Sequence, residues 1–287
     1  GSDENIFIGS DAGKGATGAV AESIAIGQSA LDGTGTIGGT NNIAIGKNSI
    51  GGAFSTSTSN YNIGVGRNTI GGALNAAGYN VAVGDSAMAA QVSGTYNIAI
   101  GANALDASTD GDGNIAIGQD ALGNFNANGS NNIAIGANTG DAFGSAALTG
   151  CVLIGLNAGG AINNTGANYS TAVGKDALSA VTSGAANTAV GVNTGATITT
   201  GNYNTLIGRQ ADVGTNSDTN CTLIGNMAVG DGSYSTQIGN YGIKKWKTAR
   251  LNCSAADSAD NSVIKHIGNF PALSIITSIS LKVVQLS

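Results

Sequence analysis

The feature of this sequence that most restricts its fold is a short phrase that recurs along most of the chain. The phrase is a branched or small residue, a small residue, Ile or Val, and then Gly, and it occurs fourteen times at intervals of about 18 residues. A unit this short cannot bury its own apolar face, but stacked units can, and such stacking is typical of a β-solenoid. The phrases end at Gly9, Gly27, Gly46, Gly66, Gly84, Gly101, Gly118, Gly136, Gly155, Gly174, Gly191, Gly208, Gly225 and Gly239.

Each copy predicts one short strand followed by a turn. In Ile98-Ala99-Ile100 two branched residues flank a small one, an alternation with the period of a β-strand, and the next residue, Gly101, permits a positive φ. A second apolar segment follows, as at Ala104-Leu105, and a polar loop leads to the next copy. We therefore expect an all-β chain, a parallel β-solenoid of about 14 coils over residues 1–239, roughly 65 Å long at an inter-strand spacing of about 4.8 Å.

The fourth residue before each of these glycines also forms a column. It is Asn in nine copies, Ser in three and Cys in two, Cys151 and Cys221. Stacked coils would bring these side chains together as a ladder, as stacked amides do in cross-β structures. The two cysteines then occupy ladder positions four coils apart, too far to pair with each other. The nine are Asn5, Asn42, Asn62, Asn80, Asn97, Asn114, Asn132, Asn187 and Asn204.

The small residue at the centre of each strand predicts an interface. If the two branched residues face the core, the small residue faces outward, where a one-sided sheet would carry polar side chains. An apolar outer stripe with nothing left in the chain to cover it indicates a homo-oligomer packed along that stripe. The predicted interface residues are Ala25, Ala44, Ala82, Ala99, Ala116, Ala134, Ala172 and Ala189.

Composition excludes several classes of function. His266 is the only histidine, which removes most His-based catalysis and most zinc sites, so we expect no catalytic residues, no metal and no cofactor. The net charge of −6 disfavours binding to nucleic acid, which requires a basic face. No apolar run approaches the roughly 20 residues that span a bilayer, so we expect no membrane insertion by this segment. The 47 glycines are too many for an ordinary domain and lack the strict spacing of collagen.

The phrase Asn-Ile-Ala-Ile-Gly followed by an Ala-containing segment, as in Asn97–Ala104, resembles the head repeats of trimeric autotransporter adhesins. Those heads are left-handed parallel β-rolls in which three chains pack side by side. The longer period, the joins such as Thr200–Gly208 and the endings such as Asp120–Leu122 resemble repeats of bacteriophage tail fibres still more closely. The resemblance covers about residues 5–240. It implies a left-handed homotrimer located outside the cell, on a virion tail fibre or on a bacterial surface.

The composition changes after Gly239. Residues 1–239 carry five Lys or Arg against fifteen Asp or Glu, a net of −10, whereas residues 240–287 carry six against two, a net of +4. The only Trp, Pro and His lie in this second part, and Ser274–Leu286 alternates as a strand does. A solenoid end needs a cap, so we expect residues 240–287 to form a capping and trimerisation segment, with a membrane-associating tail as the alternative.

Tyrosines form the most suggestive candidate site. Six of the seven precede the Asn column, and three of them, Tyr61, Tyr79 and Tyr96, fall in consecutive coils, where their rings would stack about 5 Å apart. One interpretation is a platform for sugar rings, because aromatic faces offer rigid amphipathic contact area. The other is that the rings close the edge of the solenoid over the loops.

Two further patterns predict bland structure rather than a site. Asp106, Asp110 and Asp112 cluster in one loop, but Ile115 stands where an EF-hand requires Gly, which favours a solvated acidic loop over a calcium site. Gly13–Gly18 matches a glycine-rich nucleotide motif without the strand and helix that such a motif requires.

The sequence as a whole predicts a non-enzymatic fibrous attachment protein whose rigid surface meets a host-cell glycan or protein receptor. The first alternative is a purely structural spacer. The second is an ice-binding solenoid, which needs a flat outward array of Thr. The Thr residues that replace Ile in the last five strands, from Thr171 to Thr236, are expected to face the core, and this argues against ice binding.

Overall fold

The computed structural model describes residues 4–14, 20–33, 39–52, 58–125, 129–142, 148–162 and 167–239. These residues are all-β and contain fourteen three-residue strands, one for each copy of the repeated phrase. The predicted segment 240–287, with Cys253, lies outside the described residues. The strands β1 to β14 are Ile6–Ile8, Ile24–Ile26, Ile43–Ile45, Ile63–Val65, Val81–Val83, Ile98–Ile100, Ile115–Ile117, Ile133–Ile135, Val152–Ile154, Thr171–Val173, Thr188–Val190, Thr205–Ile207, Thr222–Ile224 and Thr236–Ile238.

The strands form a single parallel sheet in strict chain order, and each pairs with the next in unbroken register. Ala99, for example, lies opposite Ala116, as Ile98 lies opposite Ile115. This confirms the predicted parallel β-solenoid with a period of about 18. The second apolar segment of each coil is a buried turn rather than a strand, as at Ala104 and Leu105. Across the described ranges, no helix has the length and apolar character needed to cross a membrane.

The glycine after each strand is required by both its backbone and its neighbours. Gly118 has φ +133°, and a Cβ at that position would stand 2.5 Å from the carbonyl oxygen of Gly136 in the next coil. No side chain fits such a gap, so glycine lets successive corners stack directly on one another.

The orientation predicted for the strand residues is wrong. The central Ala99 is fully buried inside the single chain, whereas Ile98 is half-buried and Ile100 is exposed over 40% of its surface. The physical reason is the narrow interior, where the strand lies directly against the following turn. At Gly64 even a Cβ would stand 2.6 Å from Thr69 Oγ1. The whole predicted stripe is interior, since all of its members are fully buried: Ala25, Ala44, Ala82, Ala99, Ala116, Ala134, Ala172 and Ala189.

In the coil of β9 a larger strand residue is compensated by a smaller residue in the turn that faces it. Leu153 takes the place of Ala in β9, and the turn that faces it carries Gly159 where other coils carry Leu. A Cβ at Gly159 would stand 3.0 Å from the Leu153 methyl groups. In this coil the large residue in the strand is therefore matched by a glycine in the turn, which keeps the core close-packed there.

The Asn column forms the predicted ladder and lies inside the coil. The backbone N–H of Asn114 donates to Asn97 Oδ1 at 2.9 Å, and Asn97 Nδ2 donates to the carbonyl of Gly111 at 2.7 Å. Cys151 and Cys221 occupy rungs of this ladder as buried free thiols, as predicted. The backbone N–H of Cys151 donates to Asn132 Oδ1 at 3.0 Å, so the cysteine position keeps the hydrogen bond to the preceding rung of the ladder.

Candidate ligand-binding surface

The tyrosine column lies at the corner where each loop enters its strand, and its side chains are exposed. The rings of Tyr61 and Tyr79 stack with centroids 4.9 Å apart and planes 10° from parallel, and Tyr79 and Tyr96 stack at 5.0 Å and 11°. This confirms the predicted aromatic stack. The exposed fractions are 46%, 51% and 63% along the stack, so the rings remain accessible to a ligand.

All six tyrosines of the column, stacked or not, have a left-handed backbone conformation, with φ between 58° and 64°. In other coils the same corner is occupied by residues that adopt this conformation more readily, including Gly113, Gly150 and Asn131. A bulky residue at such a φ costs about 1–3 kcal/mol. Buried turn residues such as Leu105 and Leu122 adopt the same conformation, so the coil geometry imposes it, and what distinguishes the tyrosines is their exposure. The six tyrosines are Tyr61, Tyr79, Tyr96, Tyr169, Tyr203 and Tyr234.

A shallow groove runs beside the three stacked rings. Its floor is backbone and small side chains, including Ala76, Ala77 and Gly78, and its polar groups come from Thr58, Asn60 and Thr95. Hydrogen bonds between coils fix these polar groups: Asn60 Oδ1 accepts the backbone N–H of Thr40 at 2.8 Å. The groove places aromatic edges beside hydrogen-bonding groups, although it is more open than the pockets that enclose small molecules, and it suits a ligand held at the surface.

The outer face of the sheet is a second candidate surface. Two columns of branched side chains point outward from β1 to β9, one at the first and one at the third residue of each strand. Several side chains of the second column expose more than a third of their surface, as Ile26, Ile45 and Ile135 do. Branched side chains exposed in one continuous strip are typical of an interaction surface, since the exposed apolar residues of a monomer are usually scattered.

The first of these columns changes to threonine in the last five strands. Thr188 faces outward beside the buried Ala189, so the expectation that these threonines face the core is wrong, for the same reason as the alanine orientation. Adjacent rungs lie about 4.8 Å apart. The outward threonines are Thr171, Thr188, Thr205, Thr222 and Thr236.

The three acidic residues of the predicted loop do not converge on one point. Asp110 accepts from Ser93 Oγ at 2.5 Å, and Asp112 Oδ1 accepts from the backbone N–H and hydroxyl of Thr95 at 2.7 and 2.9 Å. Burial, and to a smaller extent the nearby Asp120 carboxylate, raise the pKa of Asp106. Among the described residues, no group of three or more His, Cys, Asp or Glu side chains is placed to hold a metal ion.

Other candidate residues have structural roles. Burial raises the pKa of the Cys151 thiol, which makes it a weaker nucleophile than an exposed cysteine. Lys14, within the glycine-rich segment Gly13–Gly18, forms an exposed ion pair with Asp11 at 2.7 Å, and most of the rest of that segment lies outside the described residues.

Sequence reasoning missed the left-handed corner and the outward Ile and Val columns. The sequence did contain a signal for the corner, because Asn and Gly occupy the tyrosine column in other coils and both residues readily adopt a positive φ. Comparison with models of known protein families and with curated proteins gave no match. The function of the chain has to be inferred from its own geometry.

Proposed function

We propose that this chain is a segment of a homotrimeric, non-enzymatic fibrous attachment protein that binds a host-cell glycan or protein receptor. The observation that carries the proposal is the tyrosine column. It places exposed aromatic side chains at strained backbone positions beside a groove, although Asn or Gly would fit those positions at lower cost. The resemblance to phage tail-fibre and adhesin-head repeats supports a location on a virion or on a bacterial surface.

The face that we propose for self-association is the outward pair of Ile and Val columns, in place of the buried alanines. The strip is narrow, with two side chains per strand, and continuous over nine coils. The number three comes from the resemblance, and a narrow strip of this kind suits chains arranged around a common axis.

The mechanism would be multivalent. Parallel copies of the chain present the same tyrosine column several times on one rigid rod, and weak contacts made together gain from a high effective concentration. The ordered register of the sheet keeps each column straight, so that little entropy is lost when the second and third contacts form.

Assembly is tested by sedimentation equilibrium of the wild-type chain and of the double variant Ile100→Lys, Ile135→Lys. We expect a trimer that dissociates in the variant, because the charges would be buried in the interface. Leu156→Lys is the matched control: Leu156 is 44% exposed, against 40% for Ile100, but lies outside the two columns. A monomeric wild-type chain would overturn the assembly proposal.

Binding is tested on a glycan array with Tyr61, Tyr79 and Tyr96 changed together to Asn. Asparagine occupies the same corner in other coils, as at Asn131, so the variant is expected to fold. Loss of wild-type binding in the variant supports the attachment function. If the variant binds as the wild type does, the receptor site lies elsewhere on the chain. If the wild-type chain binds no glycan and no host cell, the attachment function is wrong and the structural spacer is the remaining interpretation.

Ice binding is a second candidate, because the threonine row proves to face outward. Five threonine side chains in register on a flat sheet offer the regular array that this function requires. Thermal hysteresis of the wild-type chain is the direct test, and its absence would exclude the candidate.

A further inference from the structure

The tyrosine stack ends at a vacant rung. The rings of Tyr61, Tyr79 and Tyr96 cover one another's faces, so the middle ring offers a ligand only its edge. The next position in the column is Gly113, which has no side chain. The only atoms near the point where its Cβ would stand belong to Asn131, one coil further on. The ring face of Tyr96 that looks toward Gly113 is therefore open, in agreement with its larger exposure within the stack.

The vacancy has the height of one ring. Tyr96 and Asn131 are two coils apart, about 9.6 Å at the usual strand spacing. A ring placed on the Gly113 rung would lie about 5 Å from Tyr96, the distance at which the tyrosine rings stack on one another, and would meet the Asn131 amide at its other side. Asn131 closes the far side, with its Oδ1 3.0 Å from the Cβ position of Gly113.

Hydrogen-bonding groups border the vacancy. Asp112 immediately precedes Gly113 and is exposed; its Oδ1 accepts both bonds from Thr95, which leaves Oδ2 outside those bonds. The two Thr95 bonds and the bond from the backbone N–H of Asp112 to Ser130 Oγ, at 3.1 Å, fix the position of this carboxylate. The side-chain amide of Asn131 adds a donor and an acceptor.

We infer that the vacancy at Gly113 is a binding subsite for one neutral pyranose ring, stacked on Tyr96 and hydrogen-bonded through its hydroxyls to Asp112 and Asn131. An aromatic face takes the C–H side of a sugar ring, and a carboxylate beside an amide takes its hydroxyls. The Asp112 carboxylate disfavours anionic sugars such as sialic acid. This inference rests on the proposed attachment function and names the ligand class and position of its site.

The sharpest test fills the vacancy with the side chain that occupies neighbouring rungs. Gly113 has φ +65°, close to the 59° of Tyr96, so the backbone of Gly113→Tyr accepts the substitution. The new Cβ would stand 3.0 Å from Asn131 Oδ1, so the variant extends the stack to four rings once the Asn131 amide moves aside. Gly150→Tyr is the control for the substitution itself. It makes the same change in the same column at φ +69° and leaves Gly113 unchanged, and its Cβ, 2.9 Å from the Tyr169 ring, displaces a neighbour at least as much as Gly113→Tyr does.

The measurement is binding of neutral and sialylated oligosaccharides on an array, followed by titration of the best neutral binder. Circular dichroism establishes that each variant is folded. We expect Gly113→Tyr to weaken neutral binding by about two- to tenfold, the loss expected for one stacked ring, and Gly150→Tyr to bind like the wild type.

The possible outcomes distinguish a failure of the sugar subsite from a failure of the proposed attachment function. If the triple tyrosine variant loses binding while Gly113→Tyr retains it, the attachment function stands and the subsite is wrong. A preference for sialylated over neutral sugars also overturns the subsite. If the wild-type chain binds no glycan, the subsite and its glycan ligand are both wrong, and a protein receptor is then sought with host cells.

Discussion

Removal of one rung from the asparagine ladder should destabilise the solenoid by an amount that the structure allows to be estimated. Asn97 is fully buried, and its side chain serves two partners in two directions. Its Oδ1 accepts the backbone N–H of Asn114 in the next coil, and its Nδ2 donates to the carbonyl of Gly111. In Asn97→Ala both partners remain buried and lose these hydrogen bonds.

Each buried group left without a partner costs about 1–3 kcal/mol, so the free energy of unfolding should fall by about 2–5 kcal/mol in Asn97→Ala. The chain itself provides the control. Ser23 occupies the same column, and its Oγ accepts the backbone N–H of Asn42 in the following coil at 3.2 Å. Asn97→Ser should therefore keep an acceptor for the backbone N–H of Asn114 while it loses the bond to Gly111 and the weaker bond at 3.2 Å from Asn114 Nδ2, which also donates to Gly129, and it should cost less than Asn97→Ala.

Urea unfolding measures the two free energies, and hydrogen exchange of the Asn114 amide measures the local effect. Exchange at Asn114 should accelerate strongly in Asn97→Ala and less in Asn97→Ser. Equal destabilisation by the two substitutions, with unchanged exchange at Asn114, would refute the assignment of the stabilising role to these two hydrogen bonds.

Three further outcomes are expected. Gly118→Ala should lower the free energy of unfolding by at least about 3 kcal/mol. Gly232 has the similar φ of +129°, but no atom lies within 4 Å of its Cβ position, so Gly232→Ala should lose only the part that comes from backbone strain. Equal losses in urea unfolding would show that the close approach of successive corners contributes nothing. The pKa of Asp106 is higher in the folded than in the unfolded chain. As the pH rises from the ordinary pKa of Asp through the raised pKa of the folded chain, ionisation of Asp106 therefore lowers the free energy of unfolding. The stability of Asp106→Asn relative to wild type should therefore increase from about pH 3 to pH 7, as unfolding curves at each pH can check. Cys151 should resist a thiol reagent until urea unfolds the chain, and peptide mass mapping that finds it labelled in the native state would contradict its burial.

The repeat was sufficient to predict the solenoid, its period and an asparagine ladder, because these follow from spacing alone. The facing of the strand was predicted wrongly, although the same residues contained the answer. Asn97 and Ala99 are two residues apart and must share a face of the strand, so a buried asparagine ladder requires a buried alanine column. The error came from assuming that the larger apolar residues occupy the core, a rule that fails where the interior is too narrow for them.

The tyrosine stack was predicted from its spacing, but its backbone conformation was not. Tyrosine rarely adopts a positive φ, and no propensity of the residue itself indicates one. Here the geometry of the coil fixes the corner, and whichever residue stands there must accept it. The vacancy at Gly113 followed only once Tyr96 and Asn131 had been located around it.

The most regular columns of this repeat build the fold, and the less regular ones vary the surface. Thr188 replaces Ile in the outer column, while the inward residues beside it, Asn187 and Ala189, keep the pattern of earlier coils. A change in an outer column or at the corner leaves the stacking of the interior intact, because the two sets of side chains point to opposite sides of the strand. Binding surfaces are therefore to be sought where the repeat departs from its own pattern, and the glycine that interrupts the tyrosine stack is such a departure.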